Sequence, residues 1–390
     1  MPIKCDVLVI GGGPAGSSAA RSAVLSGAKT ILIEKKEEIG VNVKCAEGIG
    51  EYLFPYLPFE IPKEQLIWKI DGMFFWAEDI SIEKRGSFWK GYSVDRSKFD
   101  KWLSELAVNN GAEILTNTEL TDLELDEENN VKKAIVRRNG NLVEIFPKVI
   151  VAADGVESTV LNLLGLYNPK RGDLAEVYSW EMKNLDMYKP HYEQVFTGSF
   201  TPSGYAYIFP KSKDVANVGV GGIYPEKKLE RYFEEFLEIE HVKKQMKNAE
   251  FVVEKTKKTA WRDVVDEWIH GNVLLAGDAA NHTLKPLGEG ILPGIISGNL
   301  AGELSTKKFL GENVNMKIYL KLLENVLHPH FRISRNYLER VHHWFTDKGR
   351  EKHLLLIALV ADLFELERLD ELEEMNYESL EARLLEEVRQ

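Results

Sequence analysis

The sequence predicts an α/β fold: a Rossmann-like parallel-sheet domain, an inserted antiparallel β-sheet domain and a C-terminal helical region. Three observations carry this prediction. A continuous apolar run at residues 6–10 meets Gly11-Gly-Gly-Pro-Ala-Gly16 and then a helical stretch, the opening of a βαβ unit. Two later apolar runs, residues 149–152 and 272–276, also end in Gly/Asp turns. The segments between them are rich in aromatic residues with alternating polarity, as antiparallel strands are.

In chain order, residues 6–10 read as a buried strand and residues 17–25 as a helix closed by Gly27. Residues 29–33 form the next strand, ending at Glu34. Trp68, Phe74, Phe75, Trp76, Phe88, Trp89 and Tyr92 crowd residues 65–92 into short strands of a second layer. Residues 95–107 return to helix, with Phe99, Trp102, Leu103 and Leu106 on one face. Residues 112–115 and 149–152 are strands, with hairpin turns between them at Glu127-Glu-Asn-Asn130 and Asn139-Gly140. Residues 170–255 read as antiparallel strands interrupted by one helix over 229–246. A glycine-spaced helix starts near Gly290, everything from Ala301 is expected to be helical, and residues 370–390 form an acidic, solvated tail. The predicted boundaries are 1–66, 93–168 and 257–302 for the discontinuous first domain, 67–92 and 169–256 for the inserted sheet, and 303–390 for the helical region.

Hydrophobic residues make up 44% and charged residues 28% of the 390, which excludes whole-chain disorder, collagen and a disulfide scaffold. A net charge of −12 argues against nucleic acid as a partner. Cys5 and Cys45 cannot make a disulfide framework, so a reducing, cytoplasmic setting without a signal peptide is expected. No run approaches the ~20 apolar residues of a membrane span. The apolar run at 354–361, preceded by Lys348, Arg350 and Lys352, has two readings. It packs on the body, the simpler one, or it is a lid that touches the cytoplasmic membrane face peripherally. His342 and His343 have no carboxylate or cysteine at a ligand spacing, so no metal is expected.

Gly11-x-Gly13-x-x-Gly16 between a strand and a helix is the setting in which a glycine turn binds a dinucleotide. Gly11 permits the tight turn, Gly13 lets the backbone approach a pyrophosphate and Gly16 allows close helix–strand packing. Pro14 and Ala15 open the helix whose free N–H groups face the phosphates. Glu34 ends the second strand, where it can accept from ribose hydroxyls, and Lys35 follows it.

This unit resembles the N-terminal unit of two-dinucleotide-binding-domain flavoproteins. Val149-Ile-Val-Ala-Ala-Asp154-Gly155-Val-Glu-Ser158 is similar to the Asp-Gly motif of the para-hydroxybenzoate hydroxylase-like group. Asn272-Val-Leu-Leu-Ala-Gly277-Asp278-Ala-Ala280 is similar to that group's second FAD motif, whose aspartate holds the ribityl chain. The resemblance implies FAD as cofactor. It departs at Ser158-Thr-Val-Leu161, where the group continues to an arginine, and the departure argues against direct docking of NADPH.

Within the group, four segments resemble the geranylgeranyl reductase family, especially the archaeal enzymes that saturate isoprenoid chains of membrane lipids. They are Glu38-Ile-Gly40 with Lys44-Cys45-Ala46-Glu47-Gly48, and Tyr92-Ser-Val-Asp95-Arg96-x-x-Phe99-Asp100. The third is Ser203-Gly-Tyr205-Ala-Tyr207-Ile-Phe209-Pro210-Lys211 with Asn217-Val-Gly219, and the fourth is Leu287-Gly288-Glu289-Gly290-Ile291. Tyr207 stands where the family has tryptophan.

The resemblance implies that Lys44, Cys45, Ala46 and Arg96 contact FAD, and that backbone N–H groups of Gly288, Gly290 and Ile291 hold the flavin N1/O2 edge. It implies Cys45, Tyr205 and Tyr207 as catalytic candidates, with Cys45 a proton donor, a redox partner or a packing residue. It implies Glu47, Tyr205, Tyr207, Phe209 and Pro210 at the substrate. His282, near the last motif, reads as a hydrogen-bonding surface residue. The implied reaction is saturation of C=C bonds in geranylgeranyl chains of isoprenoid lipids, with archaeal ether-lipid precursors as substrate. Electrons would come from ferredoxin, NADPH or reduced deazaflavin. An unactivated alkene does not accept a hydride readily, so the site should be apolar, dry and poor in acids. Aromatic walls would stabilise developing positive charge. Two other readings stand beside this one: an aromatic or quinone monooxygenase, and a non-catalytic flavin-bearing lipid carrier or electron-transfer subunit. No Trp-x-Trp-x-Ile-Pro sequence supports a halogenase.

Overall fold

A computed structural model describes residues 2–77, 80–198, 200–201, 204–223, 225–260, 267–284, 288–312, 314, 321 and 323. The expectations for the tail beyond residue 323, including the 354–361 run, His342 and His343, lie outside the described residues, as do those for Ser203 and Leu287.

The six-stranded sheet has the spatial order Ile269–His270, Val273–Leu275, Val149–Ala152, Val7–Ile10, Thr30–Ile33, Glu113–Leu115. All its pairings are parallel except that of the Ile269–His270 edge. Every residue of Val7–Ile10, Thr30–Ile33 and Val149–Ala152 is buried. The reason is that both faces are covered. Val7, Val9, Leu32 and Val151 pack toward the helices. Leu8, Ile10, Ile31 and Ile33 pack on Leu120, Ala134, Val136 and Ile145 of a four-stranded sheet. A strand covered on both faces needs an unbroken apolar run, and these strands have one. The two hairpins of the four-stranded sheet turn where the Asn/Gly signals fall, between Thr118–Leu125, Val131–Arg138 and Asn141–Phe146.

Two helices fix the first glycine turn. Pro14–Leu25 lies against Ile291–Phe309 along a stripe of small residues. A Cβ at Gly298 or Gly302 would overlap the carbonyl oxygen of Ala15 or Ala19. Gly16 is packed the same way against the Gly11 carbonyl. Backbone therefore meets backbone, and the start of the first helix has no freedom to drift.

The seven-stranded sheet runs Glu250–Ala260, Leu174–Lys183, Ala216–Gly222, Gly204–Pro210, Tyr192–Thr197, Gly72–Ala77, Ile80–Arg85. It is antiparallel except where Tyr192–Thr197 meets Gly72–Ala77. Phe233 and Phe236 of the Leu229–Leu237 helix and Val242 of the next helix cover one face. The single helix expected over 229–246 is in fact two, Leu229–Leu237 and Glu240–Gln245. Ile239 is extended between them (ψ 130°), and its carbonyl accepts from Val242 and Lys243 to restart the second. Residues 67–92 also divide. Trp68–Ile70 pairs with Gly91–Ser93, which pairs with Gly48–Gly50, in a three-stranded sheet.

Gly298→Ala should lower stability by about 2 kcal/mol, because the two helices must part. Gly294→Ala should be nearly neutral, since its Cβ would sit 3.6 Å from Ala15 Cβ, an ordinary contact. Urea unfolding of the two variants measures the difference.

Candidate active site

A cavity of about 530 Å³ is lined by residues from every motif singled out in the sequence. Gly11, Gly13, Pro14, Ala15, Glu34, Lys35, Lys44, Cys45, Ala46, Glu47, Arg96, Asp154, Gly155, Tyr205, Tyr207, Phe209, Asp278, Gly288, Gly290 and Ile291 all reach it. Gly16 and Pro210 do not. Gly16 lies beneath the helix, as its packing role requires. Pro210, expected at the substrate, is buried at the strand end, where its carbonyl accepts from the Ser93 hydroxyl.

At the nucleotide end, Gly11 adopts φ +100° with the Ala153 carbonyl 2.5 Å from where a Cβ would lie. No L-residue fits there. Glu34 ties the turn to its strand, accepting from the Gly12 N–H at 2.8 Å and the Lys36 N–H at 3.0 Å. The helix that follows has no side-chain cap and no acidic residue in its first turn, and nothing lies within 4 Å of a Cβ built at Gly13. Free N–H groups facing open space fit a pyrophosphate. Asp154 accepts from Ser158 Oγ at 2.7 Å and the Val160 N–H at 3.0 Å, so it shapes its own turn; burial pushes its carboxyl up. Asp278 accepts from the Thr283 hydroxyl beside Gly290. These residues fit FAD: a phosphate cradle at one end, the Asp278 carboxylate lining the same cavity, and a glycine loop with Gly288 at φ +79°.

Between the two large sheets sits Glu47, 6% exposed and held at a left-handed φ of +69°. Its Oε1 accepts from the Arg96 N–H at 3.0 Å, at the start of the Arg96–Asn109 helix. Its Oε2 meets Lys211 Nζ at 2.6 Å, Lys255 Nζ at 3.2 Å and Asn217 Nδ2 at 3.0 Å, all from the seven-stranded sheet. Lys255 also donates to Asn217 Oδ1 at 2.8 Å and to the Cys45 carbonyl at 3.3 Å. Burial raises the Glu47 carboxyl, but Lys255 and Lys211 outweigh it and hold the group below the usual carboxylate range. Cys45, half-buried, takes the Glu47 N–H on its sulfur at 3.3 Å and lies against the Arg96 guanidinium. Arg96 itself is gripped by Asp100 through bonds of 2.6 and 2.8 Å. Burial pulls that guanidinium down, and Asp100 with Cys45 more than offsets the pull.

At the far end, Tyr205, Tyr207 and Phe209 project from one strand, with Tyr207 and Phe209 ring centres 4.8 Å apart. A Cβ at Gly219 would lie 2.7 Å from the Tyr207 hydroxyl, so the glycine makes room for that phenol, which bonds Ser179. Burial pushes both phenols well above their ordinary range. Two carboxyls join them. Glu193 and Glu289 both line the cavity, and burial pushes the first to about 8 and the second to about 7. Glu193 was not legible as a site residue, although alternation in Tyr192–Thr197 puts it on the face opposite buried Gln194. Lys255 was likewise missed, as was Glu181, which meets Lys211 Nζ at 2.7 Å, because their partners lie far away in the sequence. His282 is not at the surface: it is 1% exposed and meets the Trp268 ring edge-on.

Comparison with known proteins agrees with this geometry. One FAD binding domain family model matches residues 60–291 and another residues 6–54. The chain is 32% identical to the digeranylgeranylglycerophospholipid reductase of Methanococcus vannielii over 86% of this chain and 85% of that one. It is 31% identical to the reductase of that name from Methanococcus aeolicus, covering 94% and 92%. A geranylgeranyl bacteriochlorophyll reductase-like structure from Thermoplasma acidophilum superposes with a TM-score of 0.84 at 26% identity over the whole of both chains. The myxobacterial chondrochloren halogenase, at 15% identity and a TM-score of 0.70 over 94% of this chain and 92% of that one, shares the fold alone.

Glu47→Gln should destabilise the protein by about 3 kcal/mol, because buried Lys255 and half-buried Lys211 lose a charge partner. The stability Glu47 gives is present above its unfolded value near 4.5 and is lost as pH falls through its lowered folded value. Thermal unfolding at falling pH should show a shallower acid limb in the variant than in the wild type.

Proposed function

The chain belongs to the digeranylgeranylglycerophospholipid reductase family of FAD-binding proteins, and from that premise we propose that it saturates C=C bonds in the geranylgeranyl chains of isoprenoid glycerophospholipids. The observation that carries the reading is one cavity shared by the phosphate cradle at Gly11–Gly13 and the aromatic strand of Tyr205, Tyr207 and Phe209. FAD, when bound and reduced, supplies the hydride.

The chain's own residues do the rest. The uncapped helix start and Gly13 bind the pyrophosphate, Glu34 the ribose and Asp278 the ribityl hydroxyls. Gly288, Gly290 and Ile291 offer backbone N–H groups to the ring edge where negative charge grows. Tyr205, Tyr207, Phe209, Met73 and Ile49 give an apolar wall that excludes water and admits a prenyl tail. Ring faces in that wall favour the partial positive charge that appears on an alkene carbon as it takes a proton. Lys90 and Lys257, which also line the cavity, suit the lipid phosphate. The electrons come from a separate donor; ferredoxin, NADPH and reduced deazaflavin each meet the requirement. No helix among the described residues is long and apolar enough to cross a membrane.

An anaerobic experiment tests the reading. The purified flavoprotein is reduced chemically and mixed with digeranylgeranylglycerophosphate. Mass spectrometry should find two added hydrogens per bond saturated, with flavin reoxidised in step. An unchanged lipid, with a flavin that instead reacts with oxygen and hydroxylates an aromatic acceptor, would contradict it.

A further inference from the structure

Saturating an isolated alkene takes a proton as well as a hydride, and the cavity offers few groups that can give one. Glu47 cannot, because Lys211 and Lys255 hold it ionised. Tyr52, Tyr205 and Tyr207 are buried phenols whose acidity is weakened further. Asp154 is engaged by Ser158 and Val160 within its own turn. The thiol of Cys45 faces the Arg96 guanidinium and the Glu47 N–H.

Glu193 and Glu289 differ from all of these. They come from separate elements, the Tyr192–Thr197 strand and the loop before the Ile291–Phe309 helix, and converge over the strand Gly48–Gly50. Glu193 Oε1 lies 2.6 Å from where a Cβ of Gly48 would be, and Glu289 Oε2 lies 3.0 Å from that of Gly50. Residues two apart on a strand share a face, so both carboxyls need glycine beneath them. Glu289 is held by the Gly50 N–H at 3.2 and 3.3 Å and by the Tyr52 hydroxyl. Among the described residues Glu193 accepts no hydrogen bond and meets no cation. The titratable groups facing it are Glu289 from the loop and Tyr205 from the neighbouring strand wall. Glu193 is half-buried in the cavity wall, and a carboxyl shielded from water beside another, with no cation near, favours its proton over its charge.

We propose that Glu193, paired with Glu289 over the Gly48–Gly50 strand, donates the proton to the alkene. The inference rests on the reductase reading. In the step the π bond and the carboxyl O–H bond break, and a C–H bond forms at one alkene carbon. The other carbon takes the hydride from reduced FAD, so the alkene gains two electrons and the flavin loses them. The Glu193 carboxylate then recovers its proton from solvent entering the cavity. Glu289, anchored by the Gly50 N–H, faces Glu193 as a second carboxyl and favours its neutral form between turnovers.

Two measurements test this. Difference infrared spectroscopy on the protein without lipid should show a protonated carboxyl band that disappears as pH rises through about 8. The band should be missing in Glu193→Gln, which keeps the side chain's volume. Anaerobic single turnover with digeranylgeranylglycerophosphate should slow about 100-fold or more in Glu193→Gln, with partial recovery in Glu193→Asp. The wild type alone gives a second line of evidence should a variant not fold. Its single-turnover rate should be high while Glu193 is protonated and fall as pH rises through about 8, with lipid affinity unchanged. Equal rates in wild type and Glu193→Gln, or a wild-type rate flat across that pH, would overturn the assignment and leave the reductase reading standing. Loss of turnover in Cys45→Ala with Glu193→Gln unimpaired would overturn it in favour of the thiol. If the wild type leaves the lipid unsaturated, the reductase reading itself fails and this inference falls with it.

Discussion

The Glu47 carboxylate is the point on which the two halves of the molecule agree. It binds the start of a helix from the cofactor domain through the Arg96 N–H, and two lysines and an asparagine from the seven-stranded sheet. A buried charge is tolerated only when fully partnered, and Glu47 has a partner at both oxygens. Its left-handed backbone stores strain of about 1–3 kcal/mol, which persists only because the surroundings over-determine it. The consequence is positional. Cys45, Gly48 and Gly50 are each within three residues of Glu47, so the loop that divides the cofactor space from the prenyl space is pinned by this one group.

The same side chain, a glutamate, appears in that cavity in two opposite states. Glu47 is ionised because two ammonium groups face it. Glu193 is pushed toward the neutral acid by desolvation and by the neighbouring Glu289, and Glu289 by desolvation that outweighs its bonds from Gly50 and Tyr52. Charge thus serves architecture on one side of the loop, and the retained proton serves chemistry on the other. A site for hydride and proton addition to an apolar chain needs this separation.

Much of the cofactor end was legible because its signals are local. Gly11, Gly13 and Gly16 are set by one turn, and the Asp154-Gly155 and Gly277-Asp278 turns sit directly after strands that read as buried. Tyr205 and Tyr207 were placed on one face by alternation alone. What escaped was nonlocal. Glu193 and Lys255 carry no motif, and their meaning depends on which strands become neighbours. Pro210 was given to the substrate on the strength of its motif, but the strand end turns it behind the wall, where the Ser93 hydroxyl holds its carbonyl. The helix break at Ile239 escaped for a different reason: hydrophobic spacing continues across it, and only the backbone reveals it.

The account makes one spatial claim above the others, that cofactor and lipid meet in a single cavity at the loop Glu47 pins. A crystal structure of the FAD-bound protein with a geranylgeranyl lipid tests it directly. The pyrophosphate should lie at Gly13 and the helix start, the isoalloxazine between Cys45 and Gly288–Ile291, and a prenyl double bond over the ring within reach of Glu193. A lipid bound outside this cavity, or a flavin ring turned away from the Tyr205–Phe209 wall, would contradict the account.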